Sequence, residues 1–421
     1  MKTPSGPLMR MLVLILAGET TFLLPFVVAR IFRPTFLEVF QVTNLQLGSA
    51  FSLYGIIAMI SYFAGGPLAD RFSIKKLMSI SLIFTASGGL VFCQFPSVNK
   101  LAFLYGFWGL TTILLFWAAL IRATREWGGS ENQGKAFGLL DSGRGLVAAL
   151  LASISIWLFS LMIPVNIEQA TLAHKSEALK NIILIFSGLT FFASILVYIF
   201  IPDSQGKNNS KEVKKLDIQG LKEVIKLPAV WLQSLIIICA YVGFKCTDDF
   251  SLYGKDTFGL NDIEAAKLAT LSFWMRPVAA LAAGYLGDFF KSSLILILSF
   301  VLMCISSLAI AFDVIPSSPY FLIAFMVAII SAGIYAARGL YFAIFEEAKV
   351  PLRYTGSAVG VVSLLGYTPD VFMGPLMGYL LDRSPGPLGH QHLFACLAGF
   401  SLVGIIASLC FLKLNARKGK D

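Results

Sequence analysis

The sequence predicts an all-α membrane protein in which twelve transmembrane helices form two six-helix bundles. Three observations support this fold class: an apolar composition, twelve long apolar runs, and a charged hairpin that recurs about half a chain later. Of the 421 residues, 57% are hydrophobic and 14% are charged, and the mean hydropathy is +0.78. A soluble globular domain carries about 25% charged residues, so this composition indicates a chain that lies in a lipid bilayer.

Each apolar run is long enough to cross about 30 Å of hydrocarbon as a helix. The predicted spans cover about 11–32, 45–69, 76–96, 101–124, 136–162, 180–202, 229–252, 263–287, 293–313, 319–345, 355–380 and 391–413. A polar, lysine-rich stretch at 203–227 separates the sixth span from the seventh and is interpreted as a cytoplasmic linker. The expected domains are therefore an N-terminal bundle, 1–202, and a C-terminal bundle, 228–421.

The net charge of +9 comes from basic residues dispersed among short loops, which differs from the single basic face of a nucleic-acid-binding protein. Twenty Lys and Arg fall in the loops and tails of one side and seven on the other. Basic residues favour cytoplasmic loops, so both termini are expected in the cytoplasm of a bacterial-type inner membrane. The six cysteines lie in apolar runs without a C-x-x-C pair, so neither a disulfide, a metal nor a cofactor is expected.

A charged hairpin, Gly65-Gly66-Pro67-Leu68-Ala69-Asp70-Arg71-Phe72-Ser73-Ile74-Lys75-Lys76, follows the second span. Gly66 is expected where a helix end packs closely on a neighbour, and Asp70 where it meets a helix N-terminus or a cation. A second copy, Gly284-Tyr285-Leu286-Gly287-Asp288, begins 218 positions after Gly66 (284 minus 66). Two hairpins at this separation indicate an internal repeat of six helices, on which alternating-access transporters are built.

The first hairpin resembles the G-x-L-x-D-R-x-G-R-K loop between the second and third helices of the major facilitator superfamily. The matching residues are Gly66, Leu68, Asp70, Arg71, Lys75 and Lys76. Ser73 replaces the second glycine, and Ile74 shifts the basic pair by one place. The resemblance implies a transporter whose hairpins latch the cytoplasmic side. Gating is assigned to the hairpin residues Gly66, Asp70, Arg71 and Asp288, and also to Arg144 in the fifth predicted span.

Ionisable residues inside the spans are candidate site residues, because a charge at membrane depth costs at least a few kcal/mol. Three sets could neutralise themselves along one helix face: Arg122 with Glu126, Asp141 with Arg144, and Lys245 with Asp248 and Asp249. Four others have no such partner in their own helix and are expected to find partners on other helices: Glu19, Arg276, Arg338 and Asp370.

Arg122 and Arg338 lie 216 positions apart (338 minus 122), close to the repeat offset. Two guanidinium groups at corresponding depth would suit a carboxylate, phosphate or sulfonate, which the planar fork binds with two hydrogen bonds. The segment from Trp117 to Arg122, followed by Glu131 and Gly134, resembles the W-P-x-x-x-R pattern of organophosphate:phosphate antiporters and anion:cation symporters. That resemblance implies that Arg122 lines an anion cavity, with Ala118 in place of the Pro.

The predicted solute site contains four cations and four mid-span aromatic residues: Arg122, Arg276, Arg338, Lys245, Trp117, Tyr241, Trp274 and Tyr335. A proton-coupling carboxyl has to change its protonation state near neutral pH, which burial in a low-dielectric cavity favours. The candidates are Glu19, Asp248, Asp249 and Asp370, since His174 lies in a loop and His390 and His392 are assigned to the last outer loop, at the start of the twelfth predicted span. Sodium is an alternative coupling ion, because carbonyl groups freed at a kink near Pro369 could also hold it.

We expect a monomeric secondary active transporter that moves a small, anionic organic solute by proton-coupled symport. One alternative is an exporter of a metabolite, siderophore or drug, although the fifth span lacks the Pro of proton-coupled drug exporters. A second alternative is a membrane scaffold or sensor that keeps the fold without transport. An enzyme is not expected, since the sequence offers no nucleophile–base set, nucleotide-binding loop or metal cluster.

Overall fold

The computed structural model describes residues 6–129, 132–164, 170–203, 223–314, 319–344 and 355–417. In these ranges the regular secondary structure is helical throughout. The helices are α1 (Pro7–Ile31), α2 (Arg33–Phe40), α3 (Asn44–Arg71), α4 (Ile74–Phe92), α5 (Val98–Gly128), α6 (Gln133–Met162), α7 (Leu172–Phe200), α8 (Pro228–Phe258), α9 (Asp262–Phe289), α10 (Ser292–Ala311), α11 (Tyr320–Leu340), α12 (Thr355–Gly366), α13 (Pro369–Arg383) and α14 (Pro387–Arg417). The predicted all-α fold class is confirmed.

Within the described part of the chain, ten helices are long and apolar enough to cross a membrane: α1, α3 to α8, α10, α11 and α14. The other two predicted spans correspond to α9 and to α12 with α13. Helix α9 carries Asp262, Glu264, Lys267 and Arg276 within 28 residues, and α12 and α13 are only 12 and 15 residues long. The prediction missed α2, and the sixth predicted span begins earlier than expected, at Leu172.

Local sequence signals explain where several helices begin and end. Thr43 Oγ1 accepts a hydrogen bond from the backbone N–H of Gln46 at 3.2 Å, and Gln46 Oε1 accepts one from the N–H of Thr43 at 3.0 Å. Helix α3 therefore begins with a capping box. Asn261 Oδ1 accepts from the N–H of Glu264 at 2.9 Å at the start of α9. Gly259 ends α8 with a left-handed φ of 65°.

The helices form two compact units. The first comprises Met1–Asn209 and Asp248–Phe273, and the second comprises Ser210–Thr247 and Trp274–Asp421. The first unit thus contains α1 to α7 together with the last part of α8 and the first part of α9. Most of the predicted linker, 204–222, lies outside the described residues.

Glycines allow helices to approach closely within each unit. In the first unit, a Cβ added to Gly109 on α5 would lie 2.7 Å from the backbone oxygen of Tyr54 on α3. In the second unit, a Cβ on Gly333 of α11 would lie 2.9 Å from the backbone oxygen of Ser299 on α10. Membrane helices associate through such small residues because lipid supplies little hydrophobic drive for helix packing.

Candidate functional site

Four residues of the first unit, Glu19, Phe22, Trp117 and Arg144, come together in what we call the first cluster. Two π-helical stretches border it: Leu23–Val27 in α1 and Leu110–Trp117 in α5. π-Helical turns widen a helix locally and are frequent at functional sites. Pro25 helps to explain the stretch in α1, because proline has no N–H to continue the regular hydrogen-bond ladder.

The guanidinium of Arg144 is the centre of the first cluster. Its Nε donates to the carbonyl oxygen of Gly18 at 3.1 Å and lies 3.4 Å from Glu19 Oε2. Its Cζ lies 5.6 Å from the ring centroid of Phe22 and 5.5 Å from that of Trp117. The side chains of Arg144 and Glu19 are 11% and 4% exposed. A cation and a carboxylate from α6 and α1 therefore share a nearly dry environment.

The second unit contains a comparable group, the second cluster, made of Tyr241, Phe244, Lys245, Arg338 and Asp370. The ammonium of Lys245 lies 3.5 Å from Asp370 Oδ1, and the Tyr241 hydroxyl donates to Asp370 Oδ2 at 3.0 Å. The Cζ of Arg338 lies 3.7 Å from the ring centroid of Phe244 and 5.5 Å from that of Tyr241. Cations stacked on aromatic faces in this way keep their in-plane N–H groups for hydrogen bonding.

Helix breaks and helix periodicity explain how the second cluster is assembled. Helix α12 ends at Gly366 and α13 begins at Pro369, so a break is present at the kink predicted from the sequence. Proline suits the first position of a helix, and a helix N-terminus favours a carboxylate such as Asp370. Tyr241 and Lys245 are four residues apart on α8 and therefore reach Asp370 from one helix face.

The other predicted aromatic and cationic site residues of the second unit differ in their surroundings. Tyr335 is 2% exposed, and its ring centroid lies 6.3 Å from that of Phe244, so it borders the second cluster. Trp274, 38% exposed, and Arg276, half-buried, lie on α9. The proposed contact of these two residues with a solute stays a prediction.

Arg122 lies in a different environment from Arg338, despite the matching sequence offset. Its Nε lies 2.9 Å from Glu126 Oε1, one turn along the same helix, and its Nη1 donates to the carbonyl oxygen of Ala69. The guanidinium therefore pairs along its own helix face and satisfies a carbonyl near the end of α3. Its role in anion binding stays a prediction.

Asp248 and Asp249 lie in a single 3₁₀ turn of α8 within the first unit and are 2% and 0% exposed. Arg30 Nε donates to Asp248 Oδ1, and Arg33 Nη1 donates to the backbone oxygen of Asp248 at 3.5 Å. The sequence indicated pairing of Asp248 with Lys245 along one helix; the structure instead pairs Asp248 with α1. The Asp248 carboxylate thus pairs with Arg30, and the roles of Asp248 and Asp249 in proton coupling stay predictions.

Four charged residues that the sequence did not single out form a charge network in the first unit. Lys175 Nζ lies 2.6 Å from Glu38 Oε2 and 2.9 Å from Asp262 Oδ2, and Lys255 Nζ lies 2.6 Å from Asp262 Oδ1. Burial alone would raise the pKa of Asp262, but the hydrogen bonds from Lys255 and Lys175 outweigh burial and hold it below its usual value. Glu38 and Lys175 are 137 positions apart, and Lys255 and Asp262 lie on two different helices, so sequence spacing did not indicate the network.

In the first hairpin, Gly65 makes the close helix contact that was expected of Gly66. A Cβ on Gly65 would lie 3.2 Å from the backbone oxygen of Leu114, whereas one on Gly66 would meet no described atom within 4 Å. Among the described residues the close contact is thus at Gly65, one position before the predicted Gly66. Asp70 and Arg71 are exposed at the end of α3. Their role in gating stays a prediction.

In the second hairpin, Gly287 makes the corresponding contact. A Cβ there would lie 3.0 Å from Leu340 Cδ2 and 3.2 Å from Ser292 Oγ. The side chain of Asp288 lies outside the described residues. Both hairpins thus contain one glycine on which a neighbouring helix packs.

The described residues were also compared with the expectations for metal ligands and histidines. Among the described residues, no group of three or more His, Cys, Asp and Glu side chains is arranged to hold a metal ion. His390 lies in α14 and is 1% exposed, so its expected position in an outer loop was wrong. Helix α14 begins earlier than the twelfth predicted span, at Pro387.

Comparison with known proteins identifies the family. Residues 11–247 match the sequence model of the Major Facilitator Superfamily. The chain belongs to this superfamily. It is therefore a membrane transporter and not an enzyme. The matched region covers the first six predicted spans and continues into α8.

Relatives of the chain cover nearly its whole length. It is 25% identical over 386 residues to the inner membrane protein YqcE of Escherichia coli (strain K12), covering 90% of this chain and 88% of the relative. It is also 25% identical over 415 residues to the inner membrane protein YihN of the same organism, covering 97% and 96%. These relatives agree with a multi-pass inner membrane protein.

Solved structures of transporters share the fold. The nucleoside transporter NupG superposes with a TM-score of 0.69 at 14% identity, covering 96% of this chain and 99% of that chain. A bacterial homologue of the human lysosomal transporter Spinster, in an inward-facing and unoccupied conformation, gives a TM-score of 0.70 at 14% identity, covering 97% and 98%. At such identities the similarity supports the fold and not the substrate.

Proposed function

We propose that this chain is a secondary active transporter that moves a small organic anion together with a proton across a bacterial inner membrane. In this proposal the bundles 1–202 and 228–421 are joined by the linker 203–227, and both termini lie in the cytoplasm. The observation that carries the proposal is the second cluster, where two cations, Arg338 and Lys245, accompany the carboxylate of Asp370. The cations supply anion affinity, and the carboxylate supplies the coupling.

Arg338 is the proposed anion-binding residue. Its Cζ lies 3.7 Å from the ring centroid of Phe244, and this stacking contact uses the face of the guanidinium. Carboxylate, phosphate and sulfonate groups match the spacing of two guanidinium N–H donors. Tyr241 and Tyr335 next to Phe244 would contact the apolar part of an organic solute.

Asp370 is the proposed proton carrier. Protonation would remove the negative charge that holds Lys245 at 3.5 Å, because the attraction between the two groups is electrostatic. The released ammonium would then join Arg338 in binding the solute anion. Loss of the proton on the other side of the membrane would return Lys245 to Asp370 and displace the solute. Proton and solute would therefore travel together.

The first cluster provides a second cation and carboxylate of the same kind. Arg144 and Glu19 are paired at 3.4 Å with the ring of Trp117 alongside. Protonation of Glu19 would free Arg144 by the same electrostatic reasoning.

The resemblance of the fourth span to anion:cation symporters depends on Arg122, which contacts Glu126. The proposal therefore assigns anion binding to Arg338 and does not depend on Arg122.

Ligand screening on the purified protein tests the substrate class. Thermal shifts would be measured against organic carboxylates, phosphates and sulfonates, with neutral nucleosides as the comparison. We expect an anion to stabilise the wild type and to lose at least tenfold in affinity in Arg338→Gln. Arg383→Gln is the control, since this exposed arginine contacts Tyr379 on its own helix. Stabilisation by neutral compounds alone, or binding retained in Arg338→Gln, would contradict the proposal.

Transport measurements test the direction. Counterflow and uptake of the stabilising anion would be followed in vesicles of known orientation, with pH gradients of either sign. Symport predicts accumulation in the compartment toward which protons flow. Accumulation against the proton flow would favour the exporter alternative.

A further inference from the structure

We infer that the hydroxyl of Tyr241 is a positioning group that sets the pH at which Asp370 takes up its proton. The inference rests on the proposed function and goes beyond it, because Tyr241 was expected only to stack on a solute. Its hydroxyl donates to Asp370 Oδ2 at 3.0 Å. This contact makes Tyr241 part of the coupling machinery.

The two oxygens of Asp370 have different neighbours. Oδ2 accepts from the phenol of Tyr241, and Oδ1 faces the ammonium of Lys245 at 3.5 Å. In this inference the proton is added at Oδ1, because Oδ2 already accepts from the phenol and the proton replaces the ammonium as the partner of Oδ1. The carboxylate gains one proton at Oδ1 and becomes neutral, and no other bond is formed or broken. The phenol can keep donating to Oδ2, so the orientation of Asp370 is retained after Lys245 leaves.

The ring of Tyr241 connects this oxygen to the anion-binding residue. Its centroid lies 5.5 Å from that of Phe244 and 5.1 Å from that of Tyr367. Arg338 Cζ lies 5.5 Å from the same ring. One side chain therefore contacts both the proposed proton carrier and the environment of the proposed anion-binding cation.

Among the described residues, the charged and titratable groups with a contact to Asp370 or to the Tyr241 ring include members of two neighbouring helices. Helix α8 supplies Tyr241 and Lys245, and α11 supplies Arg338. On α14, His390 follows Gly389, where an added Cβ would lie 3.1 Å from the Cα of Leu381, toward the opposite end of α13 from Asp370. The phenol is thus the neutral donor among cationic neighbours, and its removal changes no charge.

Removing the hydroxyl should move the proton uptake of Asp370 to higher pH. A hydrogen bond to an ionised group stabilises that form, so Tyr241→Phe makes the carboxylate less stable and the neutral acid easier to form. The shift expected from one such bond is about one pH unit. The ring and its packing are kept, so thermal stability should change little. Incorporating a fluorinated tyrosine at the same position strengthens the donor and should move the midpoint to lower pH.

Infrared titration of the full-length protein measures this directly and needs no solute. The carboxylic-acid C=O band that disappears in Asp370→Asn would be followed from acid to alkaline pH in wild type, Tyr241→Phe and the fluorotyrosine variant. Tyr379→Phe is the matched control, because it removes a hydroxyl from α13 that contacts Arg383. We expect opposite shifts for the two Tyr241 variants and an unchanged midpoint in the control.

The possible results separate the inference from the proposed function. An unchanged midpoint in both Tyr241 variants overturns the inference while leaving proton coupling through Asp370 intact. The absence of any titrating band assigned to Asp370 overturns both. Opposite shifts together with uptake that ignores the pH gradient would support the role of Tyr241 and refute proton-coupled transport. If Tyr241→Phe does not fold, the fluorotyrosine variant alone decides the sign.

Discussion

Replacing Asp262 with Asn is expected to destabilise the first unit by about 2 kcal/mol, from the loss of charge-assisted hydrogen bonds. The side chain of Asp262 is 9% exposed, and its carboxylate lies 2.6 Å from Lys255 Nζ and 2.9 Å from Lys175 Nζ. Each such bond contributes about 1.5–3 kcal/mol. The sum is reduced because Asn keeps one oxygen acceptor and because the side chain of Lys255 is 35% exposed to screening water.

Thermal unfolding of the full-length protein in detergent measures this loss. A change of this size should lower the Tm by about 4–8 °C for a unit of some two hundred residues. The matched control is Glu223→Gln, which removes an exposed ion pair with Lys226. The side chains of Glu223 and Lys226 are 46% and 69% exposed. No measurable change in Tm is expected there. Equal changes in the two variants, or none in Asp262→Asn, would refute the reasoning.

The difference in Tm between wild type and Asp262→Asn should also depend on pH, and the structure predicts the direction. Burial alone would raise the pKa of Asp262, but the lysine hydrogen bonds hold it below its usual value. A group of this kind contributes stability above its unfolded-state pKa, about 4, and loses it as the pH falls through the folded-state value. The Tm gap between wild type and Asp262→Asn should therefore stay constant from neutral pH down to about pH 5 and shrink only in stronger acid. A gap that closes between neutral pH and pH 5 is the contrary result.

Three further predictions follow from packing and burial. Gly109→Ala should lower the Tm, because its Cβ would lie 2.7 Å from the Tyr54 carbonyl oxygen and overpacking costs about 1–3 kcal/mol. At Gly188 an added Cβ would have no described atom within 4 Å, so Gly188→Ala should instead stabilise its helix by up to about 1 kcal/mol. Denaturation of the Gly109 and Gly188 variants measures the difference. Lys245→Met should destabilise the protein by about 3–5 kcal/mol, because it removes the ammonium paired with the buried Asp370 carboxylate. Adding Asp370→Leu should restore the Tm but not coupled uptake.

The membrane-crossing helices were predictable because bilayer thickness imposes length and hydrophobicity on each of them. The break between Gly366 and Pro369 was also predictable, since proline cannot continue the hydrogen-bond ladder of the preceding helix. The π-helical stretch Leu110–Trp117 was not, because no residue in it differs from those of an ordinary apolar helix. Helix α2 was missed because it is short and follows α1 after a single residue.

The candidate site could be predicted only in part. The energetic cost of buried charge identified Glu19 and Asp370 as residues that need partners on other helices, and both have them. The identity of each partner depends on distances between helices that sequence spacing does not encode. Arg122 and Arg338 illustrate this, because their separation matches the repeat but their contacts differ. Arg122 contacts the carbonyl oxygen of Ala69 near the end of α3, whereas Arg338 stacks on Phe244.

The central claim is that protonation of Asp370 couples the proton to the solute, and one uptake measurement tests it most directly. Proteoliposomes containing wild type or Asp370→Asn would receive the tightest-binding anion of the thermal-shift panel, with and without an imposed pH gradient. The account predicts that wild type accumulates the anion only with the gradient, whereas Asp370→Asn exchanges it across the membrane without accumulation. Gradient-driven accumulation by Asp370→Asn at the wild-type level would contradict it.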